Sequence, residues 1–402
     1  MTPGGNEAEL LGHTFPVLDT LRAVGALAVL TTHTAFWAGT YTSHGIWGTL
    51  LARLDVGVAI FFVLSGFLLS RPFLARAALG RPAPSTGHYY WKRVLRIIPL
   101  YLVTAVIALV FVDANADLGL RDWIVTFVMG NTFVDPQQPD GLTHMWSLAV
   151  EACFYIVLPF LMLLAVGRSK RLDPRRVMML VIAMLAVTVW WLLVGSPAAG
   201  SSSTGQPTQW LPAYLGWFGV GIFLALVELL HRRRLWSGLT SRVVTLSRQP
   251  GSCWAMVAGL MLVAATPIAG PSMLDAPSPG QLLTKNLLYG LVGGLLVLTG
   301  VFAAPGSRYN RAMTHRAARH VGFISYGIFC LQLPVLHLVM ELTGWRLFQG
   351  HFLGIWILTV AGSLVAAELA YRFVEAPCMR LKDLGRSRAA STTAASTGTS
   401  AT

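Results

Sequence analysis

Charge is the scarcest commodity in this chain. Asp, Glu, Lys and Arg make up 12% of its 402 residues, against roughly 25% in soluble domains, and the mean hydropathy is +0.61. Too few charges remain to clothe a soluble globule, so most of the chain belongs in lipid. Acidic residues are scarcer than basic ones, 17 against 30, which leaves a net charge of +13. In a soluble protein that excess would suggest a nucleic-acid partner. In a membrane protein it raises the question of sidedness instead, and no nucleic acid is expected. Cysteine is sparse too. Cys153, Cys253, Cys330 and Cys378 lie far apart with no CxxC or Cys/His spacing, so neither a disulfide framework nor a metal site is expected. The first 16 residues hold no Lys or Arg and so lack the basic start of a cleaved signal peptide. The first apolar run is expected to stay in the protein.

What is abundant is apolar runs. A helix needs about 20 residues to cross about 30 Å of hydrocarbon, and ten stretches approach that length: 17–38, 54–74, 97–112, 146–166, 177–195, 209–230, 253–270, 282–302, 320–343 and 352–374. The third is short, and 121–134 is polar enough to be read as lying at the interface. The expected fold is an all-α integral membrane protein of about ten transmembrane helices. Its connections bear this out in charge: counting residues in the adjoining span ends, 25 of the 30 Lys and Arg fall in alternate connections and the tail, and only four in the intervening ones. By the positive-inside rule both termini are expected in the cytoplasm. Three regions result: a cytoplasmic N-terminus at 1–16, a transmembrane domain at 17–380, and a tail at 381–402. The Ser-, Thr- and Ala-rich tail is expected to be disordered.

Ionisable residues within spans are costly unless paired or facing a cavity, so each is a functional candidate. Arg22 and His33 are eleven residues apart, close to three whole helical turns. They therefore share one face, about 16 Å apart along the axis, and Asp19 lies near that face. A single membrane histidine is more often a packing residue; three ionisable groups on one face favour function. Glu151 sits about one and a half turns into the fourth span, and Asp55 at the start of the second. Either carboxylate could orient His33 as a general base, although Glu151 could equally hold helices together through an arginine. Lys92, Arg93 and Arg96 lie before the third span, with Arg93 and Arg96 one turn apart. Anchoring at the interface explains basic residues there, and a fork of guanidiniums for phosphates is the functional reading. Phosphate-binding groups at the cytoplasmic face and a histidine deeper in would suit a ligand with a phosphate-rich head and a reactive arm, such as acyl-CoA.

The ordered segments LDTLRAVGALAVLTTHTAF, DVGVAIFFVLSGFLL, YYWKRVLRIIPLYLV, HMWSLAVEACFYIVLP, HVGFISYGIFCLQLP and YRFVEAP resemble the acyltransferase-3 family of bacterial integral-membrane O-acyltransferases, over about residues 17–380. The resemblance implies transfer of an acyl group from cytoplasmic acyl-CoA, acetyl-CoA included, to a hydroxyl of a carbohydrate-type acceptor: an envelope glycan, a glycolipid or a sugar-bearing metabolite. It also implies a bacterial plasma-membrane, multi-pass protein. The family's essential histidine falls on His33, its first-span arginine on Arg22, its R-x-x-R pair on Arg93 and Arg96, and the acid of its W-S-L-x-x-E segment on Glu151. This sequence departs at Gln332, where the family commonly has a histidine, and His337 is too far along to replace it. No extracytoplasmic hydrolase-like domain is expected, so the sequence resembles the family's stand-alone branch.

His33 is expected to act as general base with Glu151 or Asp55 orienting the ring; an acyl-His33 intermediate is the other route. Ser65 and Ser147 are weaker nucleophile candidates, Ser65 lying where small residues permit close helix packing. The competing class is a transporter or exporter, to which Glu341, Glu368, Pro267 and Pro334 would contribute.

Overall fold

The computed structural model describes residues 10–135, 138–167, 171–200, 205–271 and 275–383. Most of the expected N-terminal and C-terminal regions therefore lie outside the described residues. Within them the chain is helical, and nine helices are long and apolar enough to cross a membrane. The bundle is built from α1 (Pro16–Trp37), α2 (Gly57–Ala78), α3 (Thr86–Phe111), α4 (Trp146–Val166), α5 (Pro174–Trp190), α6 (Leu215–Arg232), α7 (Pro250–Ala264), α8 (Pro279–Val301), α9 (Ser325–Thr343) and α10 (Phe352–Ala370).

The short one is α7. Its 15 residues span only about 22 Å at 1.5 Å per residue. It nevertheless runs between the two ends of the bundle. It begins beyond Arg242 and Arg248, at the end where the basic connections gather, and its far end is held by Arg53, from the connection between α1 and α2. The buried Arg53 guanidinium donates to the Ala264 carbonyl (2.8 Å), to that of Pro271 (3.3 Å) and to that of Gly270. The Ala264 carbonyl belongs to the last turn of α7, where a helix leaves acceptors unmatched, and the other two follow the turn Pro267–Ala269. The other difference is in α3. It begins eleven residues earlier than the apolar run, so YYWKRVLR forms its first turns rather than a loop.

The centre of the bundle is α2 packed on α6. A Cβ at Gly66 would collide with the Phe218 carbonyl and one at Gly221 with the Val63 carbonyl, so the two backbones touch where side chains are missing. This is the small-residue packing expected around Ser65. Gly25 and Gly57 bring α1 against α2 in the same way. The outer helices present a different surface. Val106 and Val110 on α3, Met179 and Ile182 on α5, and Ile357 and Val365 on α10 are exposed, as a lipid-facing belt requires. The 121–134 stretch forms two short helices, Leu120–Phe127 and Asn131–Val134, rather than a span. The four cysteines are free thiols; Cys253 and Cys330 are buried, Cys153 and Cys378 half-buried.

Candidate active site

A cavity of about 880 Å3 opens at the basic end of the bundle. Arg22, Arg93 and Arg96 all line it, so residues from α1 and α3 converge as the sequence suggested, joined by Arg380 and Lys382. Against these five cations stand two carboxylates, Asp19 and Glu151. The arginines differ in how they are held. Arg22 pairs with Asp19 at 3.0 Å, and Asp19 also takes Arg319 at 3.2 Å from the helix Arg316–Phe323. Arg96 reaches Glu375 at 2.6 Å, with its guanidinium 5.4 Å from the centre of the Tyr326 ring. A wider, π-helical turn at Tyr371–Glu375 presents that buried glutamate, the kind of local irregularity that recurs at functional sites. Arg93 lies over the Tyr155 ring at 5.6 Å and has no carboxylate partner among the described residues. Its Nε is buried without a hydrogen bond.

Deeper in, the wall turns apolar through Phe61, Phe62, Leu64, Leu68 and Phe329. Phe61 and Phe329 meet edge to face with centroids 5.8 Å apart. Beyond Phe329 lies the His144 ring at 5.1 Å, and the His33 ring is 5.8 Å from His144. Neither histidine lines the cavity itself.

The partners of His33 are not those expected. Its Nδ1 lies 3.4 Å from the Oε1 of Gln332, the residue at which this sequence departs from the family pattern. The amide of Gln332 is oriented by its other end, since Nε2 donates to the Phe329 carbonyl at 3.1 Å. The oxygen therefore faces the ring, and an amide oxygen can only accept. This favours the Nδ1–H tautomer and leaves Nε2 with a bare lone pair, the form a general base needs.

Neither expected carboxylate bonds the ring. Glu151 accepts from the Ser65 hydroxyl and, at 2.8 Å, from Tyr155. It lies seven residues past His144, about 10 Å along the helix direction, and so belongs with the arginines. Asp55 accepts from Tyr289 and pairs with Lys285 at 2.6 Å. The first turn of α4 is preceded by the turn Thr143–Met145. That turn, not Glu151, reaches the level of His33.

His144 was missed, although it stands at the head of the HMWSLAVE segment. It is 4% exposed, both ring nitrogens lack a hydrogen-bond partner, and the ring faces the carbonyls of Phe329 and Cys330. Pro334 explains one of these: a proline cannot donate to the carbonyl four residues back, and four back is Cys330. Leaving a buried polar atom unmatched costs about 1–3 kcal/mol.

Three other charged groups form a separate cluster. Glu228 on α6 is buried, takes a two-point bond from Arg71 at 3.0 Å and pairs with Arg232. The residues that kept a transporter reading open do not form a path. Glu341 is exposed, Glu368 is tied to His320 (2.8 Å) and Arg372 (2.6 Å), and Pro267 lies in the connection after α7.

Among the described residues no cluster of His, Cys, Asp and Glu could hold a metal ion. A family model described as an acyltransferase domain, acyltransferase-3, matches residues 15–370. The peptidoglycan O-acetyltransferase OatA of Listeria monocytogenes is 26% identical over 90% of the chain and 55% of its own length, so the chain spans about half of that relative. Two others are matched over nearly their whole length. Nodulation protein 10 of Rhizobium leguminosarum is 25% identical, covering 90% of this chain and 93% of the relative. The acyltransferase MdmB of Streptomyces mycarofaciens is 26% identical, covering 94% of each. No solved structure matches the chain.

Proposed function

Because the chain belongs to the acyltransferase-3 family of membrane O-acyltransferases, we propose that it moves an acyl group from acyl-CoA to a hydroxyl of a carbohydrate-type acceptor. The observation that carries this reading is the two-part cavity: five cations at its mouth, and an aromatic and aliphatic wall leading to Phe329, behind which the histidines lie. Arg22, Arg93 and Arg96 bind the phosphates of the nucleotide head. Arg93 contributes most, because no carboxylate competes for its guanidinium. The pantetheine arm follows the apolar wall toward His33. With the positive-inside distribution of Lys and Arg, the cavity mouth faces the cytoplasm of a bacterial plasma membrane. The end bearing Asp55 and Lys285 then faces outward.

His33 Nε2 takes the proton of the acceptor hydroxyl while the oxygen attacks the thioester carbon. Collapse of the tetrahedral adduct expels the CoA thiolate, and the imidazolium returns the proton to that sulfur. Gln332 holds the ring for this exchange. The acceptor class follows the relatives: the Listeria protein is named for peptidoglycan.

The test is a proteoliposome assay with labelled acetyl-CoA inside and a muropeptide or an oligosaccharide outside. Release of one free CoA thiol per acetyl group gained outside is the expected result. Uptake or efflux of either compound without ester formation would sink the reading.

A further inference from the structure

A second cavity, about 510 Å3, opens at the end of the bundle opposite the basic connections. Its walls come from the short helix Leu120–Phe127, the segment leading into α4 and the turn Pro207–Gln209. These walls are tied together: the Thr132 carbonyl accepts from the Gln206 backbone (3.1 Å) and from the Trp210 indole (3.1 Å), and Asn115 donates to the Asp140 carbonyl (2.9 Å). It therefore has a built shape and falls within the usual ligand-pocket range of about 300–1,000 Å3.

Its chemistry is the reverse of the first cavity's. Asp122, Asp135 and Asp140 line it with a single cation, Arg121, and five side-chain amides and Thr143 complete the polar lining. Carboxylates and amides accept from and donate to vicinal hydroxyls, and the aspartates repel anions. The cleft also borders the segment that carries one of the histidines. Thr143, one of its lining residues, is followed directly by His144, the buried side chain whose two nitrogens have no partner. The histidine pair thus lies between Phe329, in the wall of the first cavity, and Thr143, in the wall of the second.

We propose that this cleft is the acceptor site, and that it admits uncharged or amine-bearing polyhydroxylated chains while rejecting anionic ones. The proposal rests on the transfer reading above and adds where the acceptor binds and which acceptors qualify. An acceptor seated there brings one hydroxyl past Thr143 to the gap between His144 and His33, where it offers a hydrogen bond to the His144 ring.

The test uses the full chain in lipid nanodiscs and three tetrasaccharides: chitotetraose (uncharged), the glucosamine tetramer (cationic) and tetragalacturonate (anionic). Binding is measured by microscale thermophoresis, with acetyl-CoA binding measured on the same samples. The first two should bind, and tetragalacturonate at least tenfold more weakly. Asp140→Arg should weaken the glucosamine tetramer about tenfold and favour the anionic chain, Gln209→Ala should weaken all that bind, and acetyl-CoA affinity should hold in both variants, which also shows that they fold. Equal binding of all three sugars, binding of none, or unchanged affinities in both variants would overturn the cleft as acceptor site. If acetyl-CoA still binds in that case, the donor reading stands and only the cleft falls; loss of acetyl-CoA binding by the wild-type chain would instead remove the transfer reading.

Discussion

The two ends of this molecule are built on opposite electrostatic plans. At the basic end, five cations and two carboxylates surround a cavity whose inner wall is aromatic and aliphatic. At the other end, three aspartates, one arginine and five amides line a cleft without an apolar wall of comparable extent. A bundle serving one ligand along a continuous path would have no reason to change sign along it. The difference is what the proposed transfer requires: one end suited to an anionic molecule with a greasy arm, the other to a hydroxylated one, with His33 and His144 between them.

Breaking the meeting point should have the largest effect. His33→Ala is expected to lower acyl transfer by about 10²–10⁴-fold, the range a general base contributes, with acetyl-CoA binding unchanged. Radiolabelled transfer in proteoliposomes beside equilibrium binding separates the two, and wild-type turnover in a well-folded variant would remove His33 from the chemistry. Next, the basic end alone can be weakened. Arg93→Ala combined with Arg96→Ala should raise the acetyl-CoA Kd by roughly 10–100-fold, from the loss of two charge-assisted contacts of about 1.5–3 kcal/mol before neighbouring cations compensate. The sugar affinity of the opposite cleft should not move. A shift in both would mean the two ends are not independent.

A smaller effect is expected at the ring's support. Gln332→Ala should reduce kcat about tenfold with little change in the KM for acetyl-CoA, because the ring loses the acceptor that selects its tautomer; this corresponds to about 1.4 kcal/mol. Gln332→Glu, which keeps an accepting oxygen, should recover most of the rate, and failure of that rescue would argue for a packing role only. Smallest of all is Asp55→Asn. Its partner Lys285 is half-exposed, and pairs of this kind contribute about 0–1 kcal/mol. Transfer by this variant should stay close to wild type; a loss as large as that of His33→Ala would restore Asp55 as the partner of the ring.

How much of this could be read in advance follows from what a helix encodes. Length and charge alternation are one-dimensional, and they placed the apolar runs, the interfacial 121–134 stretch and the convergence of Arg22 with Arg93 and Arg96. Depth along a single helix was legible for Arg22 and His33, which share α1. Depth between helices was not. Glu151 was set beside His33 because both lie some way into a span, yet the entry turn of α4 carries His144 at that level and leaves Glu151 about 10 Å further on. Asp55 bonds elsewhere for another reason: Lys285 and Tyr289, its partners, are more than 200 residues away on α8, and nothing in its own segment announces them. Gln332 was visible only as a departure from a family pattern. Its role as the partner of His33 depends on the Phe329 carbonyl fixing which end of the amide faces the ring. The buried Arg71–Glu228–Arg232 cluster escaped notice because Arg71 and Arg232 were counted among basic-end connections rather than as partners of a glutamate inside α6.

The edge-to-face contact of Phe61 with Phe329 has an electrical consequence. Two water-accessible cavities entering a bundle from opposite ends thin the insulating layer between them, and the membrane voltage then falls mainly across whatever remains. Each charge moved through that layer is worth about 2.3 kcal/mol per 100 mV. A catalyst that joins reactants from two compartments must therefore also be a plug. In the proposed reaction, exchange of a neutral acyl group past two phenyl rings, with the proton returned to the sulfur it leaves behind, would let mass cross the barrier without carrying current.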